Sequence, residues 1–254
     1  MDLYGSLIGL DATAQPPTGG LPALGAHYIS HDNVDWTNQL DDHSGAGNHL
    51  DQIFGAPFLD NATQLNGLSA MRHRGANGTP SGNDYFWRSS VAGLPVDREG
   101  RTVWALVNFD TGSDTQGGFG YGAAAGTRNF SVSVNAAGRI IKYGGTTSST
   151  IAGSSGNAES TVAGAGWHIL TVTRTDGGTG GGIWVDNVQV STAGFDYRTI
   201  NPDAIYAGVN RVENRFASCW WLEWGIGIVA YSDEQRLQML NHLNDKYALG
   251  LTLP

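Results

Sequence analysis

The sequence predicts an all-β protein, an antiparallel sandwich or barrel, and three observations carry that prediction. Glycine supplies 37 of the 254 residues and only 15% of residues are charged, against averages of about 7% and about 25%. Hydrophobic residues make up 40%, including 8 Trp, 9 Tyr and 8 Phe, which is too apolar for a disordered chain. Short apolar runs separated by Gly, Asn, Asp and Ser recur along the chain, as in β-sandwiches.

The N-terminal segment, residues 1–25, differs from the rest of the chain. Its stretch 11–24 is rich in Pro, Gly and Ala, which predicts an extended arm or linker before one domain at 26–254. The apolar piece 3–10 either docks on the domain or a partner, or forms a frayed terminus.

The domain then reads as a series of strands closed by one helix. Hairpin turns are predicted at 135–138 and 176–182, and the Gly/Ser/Thr-rich stretch 144–166 predicts a long loop. Ser232 with Gln235 forms a capping-box pattern ahead of an apolar helical face, and Gly250 predicts the end of that helix. The predicted strands are 26–31, 68–72, 85–89, 101–109, 118–122, 130–134, 139–143, 167–174, 182–190, 204–209 and 217–231.

Charge and targeting signals narrow the classes of partner. The 14 basic and 23 acidic residues give a net charge of -9, which argues against binding to nucleic acid and to anionic membranes. We find no transmembrane stretch and no basic region that would start a signal peptide. Cys219 is the single cysteine, so no internal disulfide is expected.

Several segments together resemble the concanavalin A-like lectin/glucanase superfamily, in its bacterial and phage laminin G-like branch. Residues 36–49, WTNQLDDHSGAGNH, are similar to the family's W-x-D-x-S-G-x-G-N opening. Residues 166–174, GWHILTVTR, and 182–190, GIWVDNVQV, resemble its W-H-x-x-x-V and V-D-G-x-x-V hairpin, and 222–249 its closing strand and helix. The resemblance implies a jelly-roll sandwich of two curved antiparallel sheets and does not imply one function.

Signatures of the enzymes with this fold are missing from the sequence. Retaining glucanases of the superfamily use a Glu-x-Asp-x-x-Glu cluster, whereas Glu223 has no acidic residue two or four positions away. There is no Gln-x-His strand of the alginate-lyase kind, no zinc motif and no Gly-x-Ser-x-Gly. We therefore favour a non-enzymatic protein and keep a polysaccharide hydrolase or lyase as an alternative.

Side chains along a strand point alternately to the two faces of the sheet, so the sequence of each long predicted strand assigns its tryptophan to one face. It places Trp104, Trp184 and Trp221 on faces opposite the predicted core, where flat aromatic rings can stack on sugars. The other interpretation is that these indoles pack beneath the helix or a long loop.

The predicted binding site has Trp221 and Glu223 at its centre, because residues two apart on a strand share a face. Glu223 must then be solvated or paired with an arginine such as Arg174, since an unpaired buried carboxylate is costly. Fallback sites are the loops 41–48 and 144–166. The possible neighbours of the central pair are Trp104, Trp184, Asn108 and Arg174.

A calcium site is a second prediction. Laminin G-like domains often hold one calcium ion through loop carboxylates, and Asp41, Asp42 and Asp110 are the candidates in this sequence. The alternative is that these aspartates only form turns. No other cofactor is expected.

The sequence therefore predicts a lectin-like module that binds a polysaccharide or cell-surface glycan without catalysis. Gly-rich, low-charge β domains with a short arm suit a host-recognition component of a phage or phage-like particle, extracellular or virion-associated. In that setting residues 1–25 would contact other virion proteins, and a homo-oligomer is compatible with it. A purely structural virion decoration protein that binds only protein is the other alternative.

Overall fold

The fold is a jelly-roll-like sandwich of two antiparallel sheets with a C-terminal helix, as the sequence predicts. The computed structural model describes residues 20–32, 39–75, 84–97, 99–110, 116–123, 129–134, 140–143, 166–177, 180–191, 203–210 and 215–254. The strands are β1 Leu24–Ile29, β2 Gln52–Phe54, β3 Phe58–Leu65, β4 Leu68–His73, β5 Tyr85–Ser89, β6 Arg101–Phe109, β7 Gln116–Gly122, β8 Asn129–Val134, β9 Ile140–Tyr143, β10 His168–Arg174, β11 Gly181–Val185, β12 Val188–Ser191, β13 Ala204–Asn210, β14 Arg215–Phe216 and β15 Cys219–Gly227.

One sheet carries the helix on its outer face and is called here the helix-side sheet. Its strand order is β12-β11-β10-β6-β15-β4-β3, with β1 also paired to β15. The second sheet has the order β2-β5-β13-β7-β8-β9, with β14 paired to β13. Both predicted hairpins are confirmed, because β8 pairs with β9 and β10 pairs with β11 in antiparallel register.

Two apolar clusters hold these layers together, and strand alternation separates them. Val103, Ala105 and Val107 of β6 point between the sheets into the inter-sheet core. Trp104 and Leu106, the alternate residues, point to the outer face and belong to a helix core beneath the helix. Each fully buried side chain of this size contributes about 1.5–3 kcal/mol, so the sandwich has apolar packing on both sides of the helix-side sheet.

Helix α1 spans Asp233–Tyr247 and begins as predicted. The Ser232 side chain accepts a hydrogen bond from the backbone N–H of Gln235, and the Gln235 side chain accepts one from the backbone N–H of Ser232. The helix ends at Tyr247, and its C-cap Ala248 takes the left-handed conformation with φ of 52°, two residues before Gly250, which was predicted to follow the helix. Within the described residues, no helix combines the length and apolarity needed to span a membrane.

Some strand predictions were incomplete. Strands β2 and β3 were missed because they are short or polar and mostly exposed, so they lack an apolar alternation. The predicted strand 182–190 is a hairpin of β11 and β12, turned at Asp186 with a φ of 54°. Within the predicted arm, Leu21 is buried in the helix core, and residues 1–19 lie outside the described residues.

Candidate functional site

A β-bulge in β15 changes the predicted facing of Trp221 and Glu223. Trp221 pairs with Val107 of β6 while Glu223 pairs with the next residue, Leu106, so Leu222 is an extra residue in the ladder. A bulge shifts the alternation by one position. Trp221 therefore points between the sheets, whereas Leu222 and Glu223 both point toward the helix.

Trp221 is a core residue, and its predicted role at the centre of a binding site is wrong on this geometry. Its side chain is fully buried, and its Nε1–H donates a 3.0 Å hydrogen bond to Nε2 of His73. The ring makes an edge contact with Phe119 of the opposite sheet at 6.1 Å between centroids. No face of this indole is open to a sugar.

Trp104 lies on the outer face as predicted, but the helix covers it. The side chain is fully buried in the helix core, and its ring lies 5.8 Å from the ring of His27. Gly225 is its neighbour on β15, where an added Cβ would come within 2.8 Å of the indole. The interpretation in which this tryptophan packs beneath the helix is therefore correct.

The remaining predicted neighbours do not gather around Glu223. Trp184 is covered by the helix, with the Arg236 guanidinium carbon 5.4 Å from its ring centroid. Arg174 is buried and donates to the backbone carbonyl of Asp97 at 2.8 Å, so it is not the partner of Glu223. Asn108 is partly buried near the end of β6, opposite Trp220.

Glu223 lies instead at the centre of a polar cluster that joins β1, β15 and α1. Its Oε1 is 2.7 Å from Nε2 of His27 and 3.3 Å from Nε2 of His242. Its Oε2 accepts from Nζ of Lys246 at 2.8 Å and from the hydroxyl of Tyr247 at 2.7 Å. The carboxylate is fully buried, and these contacts from two elements attach the helix to the sheet.

These contacts determine the ionisation of the cluster. Burial alone would raise the pKa of Glu223, but the hydrogen bonds with His242 and His27 and the charges of His27 and Lys246 outweigh burial. The pKa of Glu223 therefore lies well below its ordinary value, and the side chain is a carboxylate at neutral pH. Burial and the neighbouring Glu223 raise the pKa of Tyr247, which stays a phenol and donates.

We expect stability to fall as the pH drops from 6.5 to 4. Burial lowers the pKa of His73 from 6.5 to about 3, and burial also lowers the pKa values of His31 and His43. Each folded-state pKa lies below the unfolded value, so the unfolded chain binds more protons in this window. His73 alone should cost about 3 kcal/mol at pH 4 relative to pH 7, measured by urea unfolding. Below about pH 4.5, Glu223 should add to this loss, because the unfolded chain protonates this carboxylate at a higher pH than the folded protein does.

The control is His73→Gln, which removes the titrating ring. This variant should unfold more easily at pH 7 because it disturbs the contact with Trp221, but its stability should change less between pH 6.5 and 4. An unchanged slope in that range would assign the acid sensitivity to other groups.

Asp42, a predicted calcium ligand, organises the loop 41–48 instead. Its carboxylate accepts from the backbone N–H of His27 at 2.9 Å and from that of Asn48 at 2.8 Å. Both oxygens are thus occupied by donors of the chain, which favours the turn-forming alternative. The second fallback loop, 144–166, lies outside the described residues except for Gly166.

Asp41 and Asp110 have separate partners of their own. Asp41 lies 3.2 Å from Nδ1 of His49, and Asp110 accepts from Arg72 at 2.5 Å and from the hydroxyl of Ser218 at 2.6 Å. Among the described residues, no group of three or more His, Cys, Asp or Glu is placed to hold a metal ion. The three predicted ligands are not brought into one metal site there, and calcium stays a prediction.

The outer face of the second sheet presents a row of side chains that sequence reasoning did not single out. Inter-strand register aligns Gln52, Trp87, Tyr206, Gly120 and Ser131 directly across five strands. Inward neighbours on these strands belong to the inter-sheet core, so this row points outward. The row crosses the sheet perpendicular to the strands and is called here the outer row.

Aromatic rings dominate one half of this face. The ring of Trp87 stacks on that of Tyr206, with centroids 6.3 Å apart and an angle of 28° between planes. Beside them, Phe54 stacks on Tyr85 at 4.4 Å, and Tyr85 contacts Phe216 at 5.7 Å. Trp87 and Tyr85 are partly buried and Phe54 is 40% exposed, whereas Tyr206 is fully buried. Contiguous aromatic surface of this kind marks interaction sites.

The other half of the face carries glycine on β7 and small polar side chains on β8, and these residues are buried. Between residues 118 and 122, strand β7 contributes only glycine there, because Phe119 and Tyr121 point inward. An added Cβ on Gly118 or Gly120 would overlap a backbone carbonyl of β8, so neither position accepts a side chain. Alternation could have found this face: with Phe119 and Tyr121 inward, Gly118, Gly120 and Gly122 fall outward, and the same period places Tyr85, Trp87 and Tyr206 outward.

Comparison with known proteins identifies the fold class. No protein family and no curated protein matches the sequence. Many solved structures share the fold, which is that of β-sandwich domains.

Three of these structures illustrate the likeness. The binding domain of botulinum neurotoxin DC in complex with rat synaptotagmin II has a TM-score of 0.60 and 11% identity, covering 87% of this chain and 52% of that chain. The same domain in complex with SialylT has a TM-score of 0.55 and 13% identity, covering 87% of this chain and 52% of that chain. A mutant GH54 α-L-arabinofuranosidase soaked with 4-nitrophenyl α-L-arabinofuranoside has a TM-score of 0.61 and 14% identity. The match covers 90% of this chain and 60% of that chain. This chain therefore spans about half to three fifths of each, and the low identities show the fold alone.

Proposed function

We propose that this protein is a non-catalytic carbohydrate-binding module and that the aromatic half of the outer face is its binding surface. The observation that carries the proposal is the aromatic patch of Phe54, Tyr85 and Trp87, whose rings are exposed or partly buried next to the exposed Gln52. Aromatic faces stack on the C–H faces of sugar rings, and amides orient hydroxyl groups. Glycan ligands of the similar toxin domain and arabinofuranosidase support this assignment at the level of the fold.

Trp87→Ala should weaken glycan binding about tenfold or more. By analogy with stacking on nucleic-acid bases, one stacked aromatic contributes about 1–3 kcal/mol. Binding is measured by calorimetry with the best ligand from an array of capsular, algal and cell-wall glycans. Because Trp87 is only partly buried, the variant should keep its fold by circular dichroism.

Trp220→Ala is the matched control. This tryptophan is also partly buried but lies on the helix-side sheet, with Arg72 stacked 3.7 Å from its ring and Asp60 accepting from its Nε1–H. We expect its removal to lower stability and leave glycan affinity unchanged. Equal glycan affinity of Trp87→Ala and the wild type would contradict the proposed binding surface.

A polysaccharide hydrolase or lyase is the second candidate, favoured by the likeness to the arabinofuranosidase. Glycoside hydrolysis ordinarily requires two carboxyl groups flanking the scissile bond. None of the outward side chains that the structure describes on this face is acidic. Release of reducing ends from any bound polysaccharide would favour the enzyme over the binding module.

The narrower proposal is a host-recognition component of a phage or phage-like particle, extracellular or virion-associated. It is supported by the glycine-rich, weakly charged composition and by the arm predicted at 1–25. In this proposal the arm docks on other virion proteins or on a second copy of the chain. Light scattering of the full chain and of a chain lacking residues 1–19 tests it, and a strict monomer in both forms would count against assembly through the arm.

A further inference from the structure

The aromatic surface continues around the edge of the second sheet through a short loop, residues 54–58, called here the edge loop. This loop joins β2, the edge strand of the second sheet, to β3, the edge strand of the helix-side sheet. Its first and last residues, Phe54 and Phe58, are 40% and 36% exposed, and Gly55 and Ala56 between them are also exposed. The edge loop therefore presents two aromatic rings to solvent.

Arg74 is fixed against the middle of the edge loop. Its Nη2 donates to the backbone carbonyl of Ala56 at 2.7 Å, and its Nε–H donates to the carboxylate of Asp84 at 2.8 Å. The guanidinium carbon also lies 5.3 Å from the ring centroid of Phe58. Asp84 in turn accepts from the backbone N–H of Ala56 at 2.7 Å. These contacts hold the loop and the arginine in one arrangement before any ligand binds, which lowers the entropic cost of binding.

The positive charge of Arg74 faces solvent, whereas the negative charge that balances it does not. The Arg74 side chain is 52% exposed, and that of Asp84 is fully buried. Both oxygens of Asp84 already accept from N–H groups of Ala56 and Arg74. A guanidinium has five N–H donors, and the contacts with Asp84 and the Ala56 carbonyl use two of them. The remaining donors can bind an anion that arrives from solvent.

An exposed arginine beside aromatic rings suits a sugar that carries a carboxylate. Arginine and carboxylate form charge-assisted and often bidentate hydrogen bonds, while the C–H groups of the sugar ring pack on aromatic side chains. Two residues of chain span about 7 Å at most, so the backbones of Phe54 and Phe58 both lie within that distance of Ala56, which Arg74 contacts. One sugar ring with its carboxylate can bridge such a distance.

The charge of the whole protein limits the number of carboxylates on the ligand. With a net charge of -9, the protein repels polyanions at long range. The acidic residue that follows on β3, Asp60, would add to this repulsion for a longer acidic chain, and its carboxylate already accepts from Trp220 and Thr63. A glycan with a single carboxylate on its terminal sugar gains the contact with Arg74 and avoids most of this repulsion.

We propose that Arg74, Phe54 and Phe58 recognise a terminal sugar bearing one carboxylate, such as a sialic or uronic acid. Arg74 binds the carboxylate, and the two phenylalanines contact the sugar ring. Gln52 and Trp87, which are paired in register on the adjoining face, contact the neutral sugars that follow. This inference rests on the proposed carbohydrate-binding function and specifies the class of sugar that the site takes.

The test compares acidic sugars with their own methyl esters on the wild-type protein. The probes are sialyllactose, methyl glucuronide and methyl galacturonide, each as the free acid and as the ester, and alginate as a polyanion. We expect at least one acid to bind about tenfold more tightly than its ester in calorimetry, because hydrogen bonds to charged groups contribute more than neutral ones. Alginate should bind more weakly than that acid. Esterification changes only the ligand, so this comparison does not depend on the folding of a variant.

Arg74→Gln should remove the preference for the acid and change the affinity for the ester little. Asp84 keeps its two backbone N–H donors in this variant, so the protein should stay folded by circular dichroism. Arg88→Gln is the matched control, because Arg88 is also partly exposed but its guanidinium donates to two backbone carbonyls away from the edge loop. We expect Arg88→Gln to keep the wild-type preference.

Four results would overturn the inference. They are equal affinity for every acid and its ester, an unchanged preference in Arg74→Gln, an equal loss of preference in Arg88→Gln, and tighter binding of alginate than of every single-carboxylate probe. If neutral glycans bind in those cases and Trp87→Ala weakens their binding, the proposed function stands. Failure of every glycan to bind would overturn both.

Discussion

Glu223→Ala should lower the free energy of unfolding by about 3–5 kcal/mol, the range for breaking a buried ion pair by removing one partner. The substitution leaves His27 and Tyr247, both buried, without the carboxylate to which they are hydrogen-bonded. It also removes the acceptor of Lys246 at the C-terminal end of the helix. Chemical denaturation at pH 7 measures the loss, and hydrogen exchange should show the greatest loss of protection in α1.

Glu234→Ala serves as the control for this substitution. Glu234 is exposed in the first turn of the same helix, where a carboxylate contributes only a fraction of a kcal/mol through the helix dipole. Similar small losses in both variants would mean that the Glu223 cluster does not hold the helix. Loss of glycan binding by Glu223→Ala in a fully folded protein would return this residue to the functional site.

The sequence was sufficient to predict the sandwich, and the reason is visible in β6. Residues 103–107 of this strand are all apolar, and the two-residue period of a strand places Val103, Ala105 and Val107 in the inter-sheet core as expected. The helix start was equally predictable, because Ser232 and Gln235 interact locally through a capping box. Predictions of this kind depend only on residues close together in one strand or one turn, so the tertiary structure changes them little.

The structure does not place Trp221 and Glu223 on one face as predicted, because these two residues lie on either side of a β-bulge. In β15 the extra residue is Leu222, and apolar side chains occur on both sides of it, so the sequence pattern looks like uninterrupted alternation. At this point β15 changes its neighbouring strand on the side away from β6. Trp221 pairs with β4, and Glu223 pairs with β1. Such a change of partner is a tertiary event without a local sequence signal.

Alternation also could not tell a covered face from an exposed one. Trp104 and Trp184 point away from the inter-sheet core as predicted, but α1 closes over them. The outer face of the second sheet follows the same period, and its aromatic residues include the partly buried Trp87 and the exposed Phe54. On that face Tyr206 and Ser131 are nevertheless fully buried, so the period alone does not show which outward side chains are accessible.

Trp221→Ala should destabilise the protein by about 3–5 kcal/mol, the range for removing a large aromatic side chain from a packed core. The indole fills the space between His73 and Phe119, and its Nε1–H bonds to His73. The cost combines the lost burial, the cavity that remains and the orphaned imidazole nitrogen. Chemical denaturation at neutral pH, where His73 is neutral because burial lowers its pKa to about 3, measures this effect.

The comparison with Trp221→Phe and Trp87→Ala separates a core residue from a binding residue. Trp221→Phe retains an aromatic ring in the inter-sheet core and should recover part of the lost stability, although it still lacks the hydrogen bond to His73. Trp87→Ala should show the opposite pattern, with a small change in stability and a large change in glycan affinity. Because Trp221 is fully buried, the affinity of folded Trp221→Phe should equal that of wild type. Weaker binding by that folded variant, with normal binding by Trp87→Ala, would place the ligand on the helix-side sheet instead.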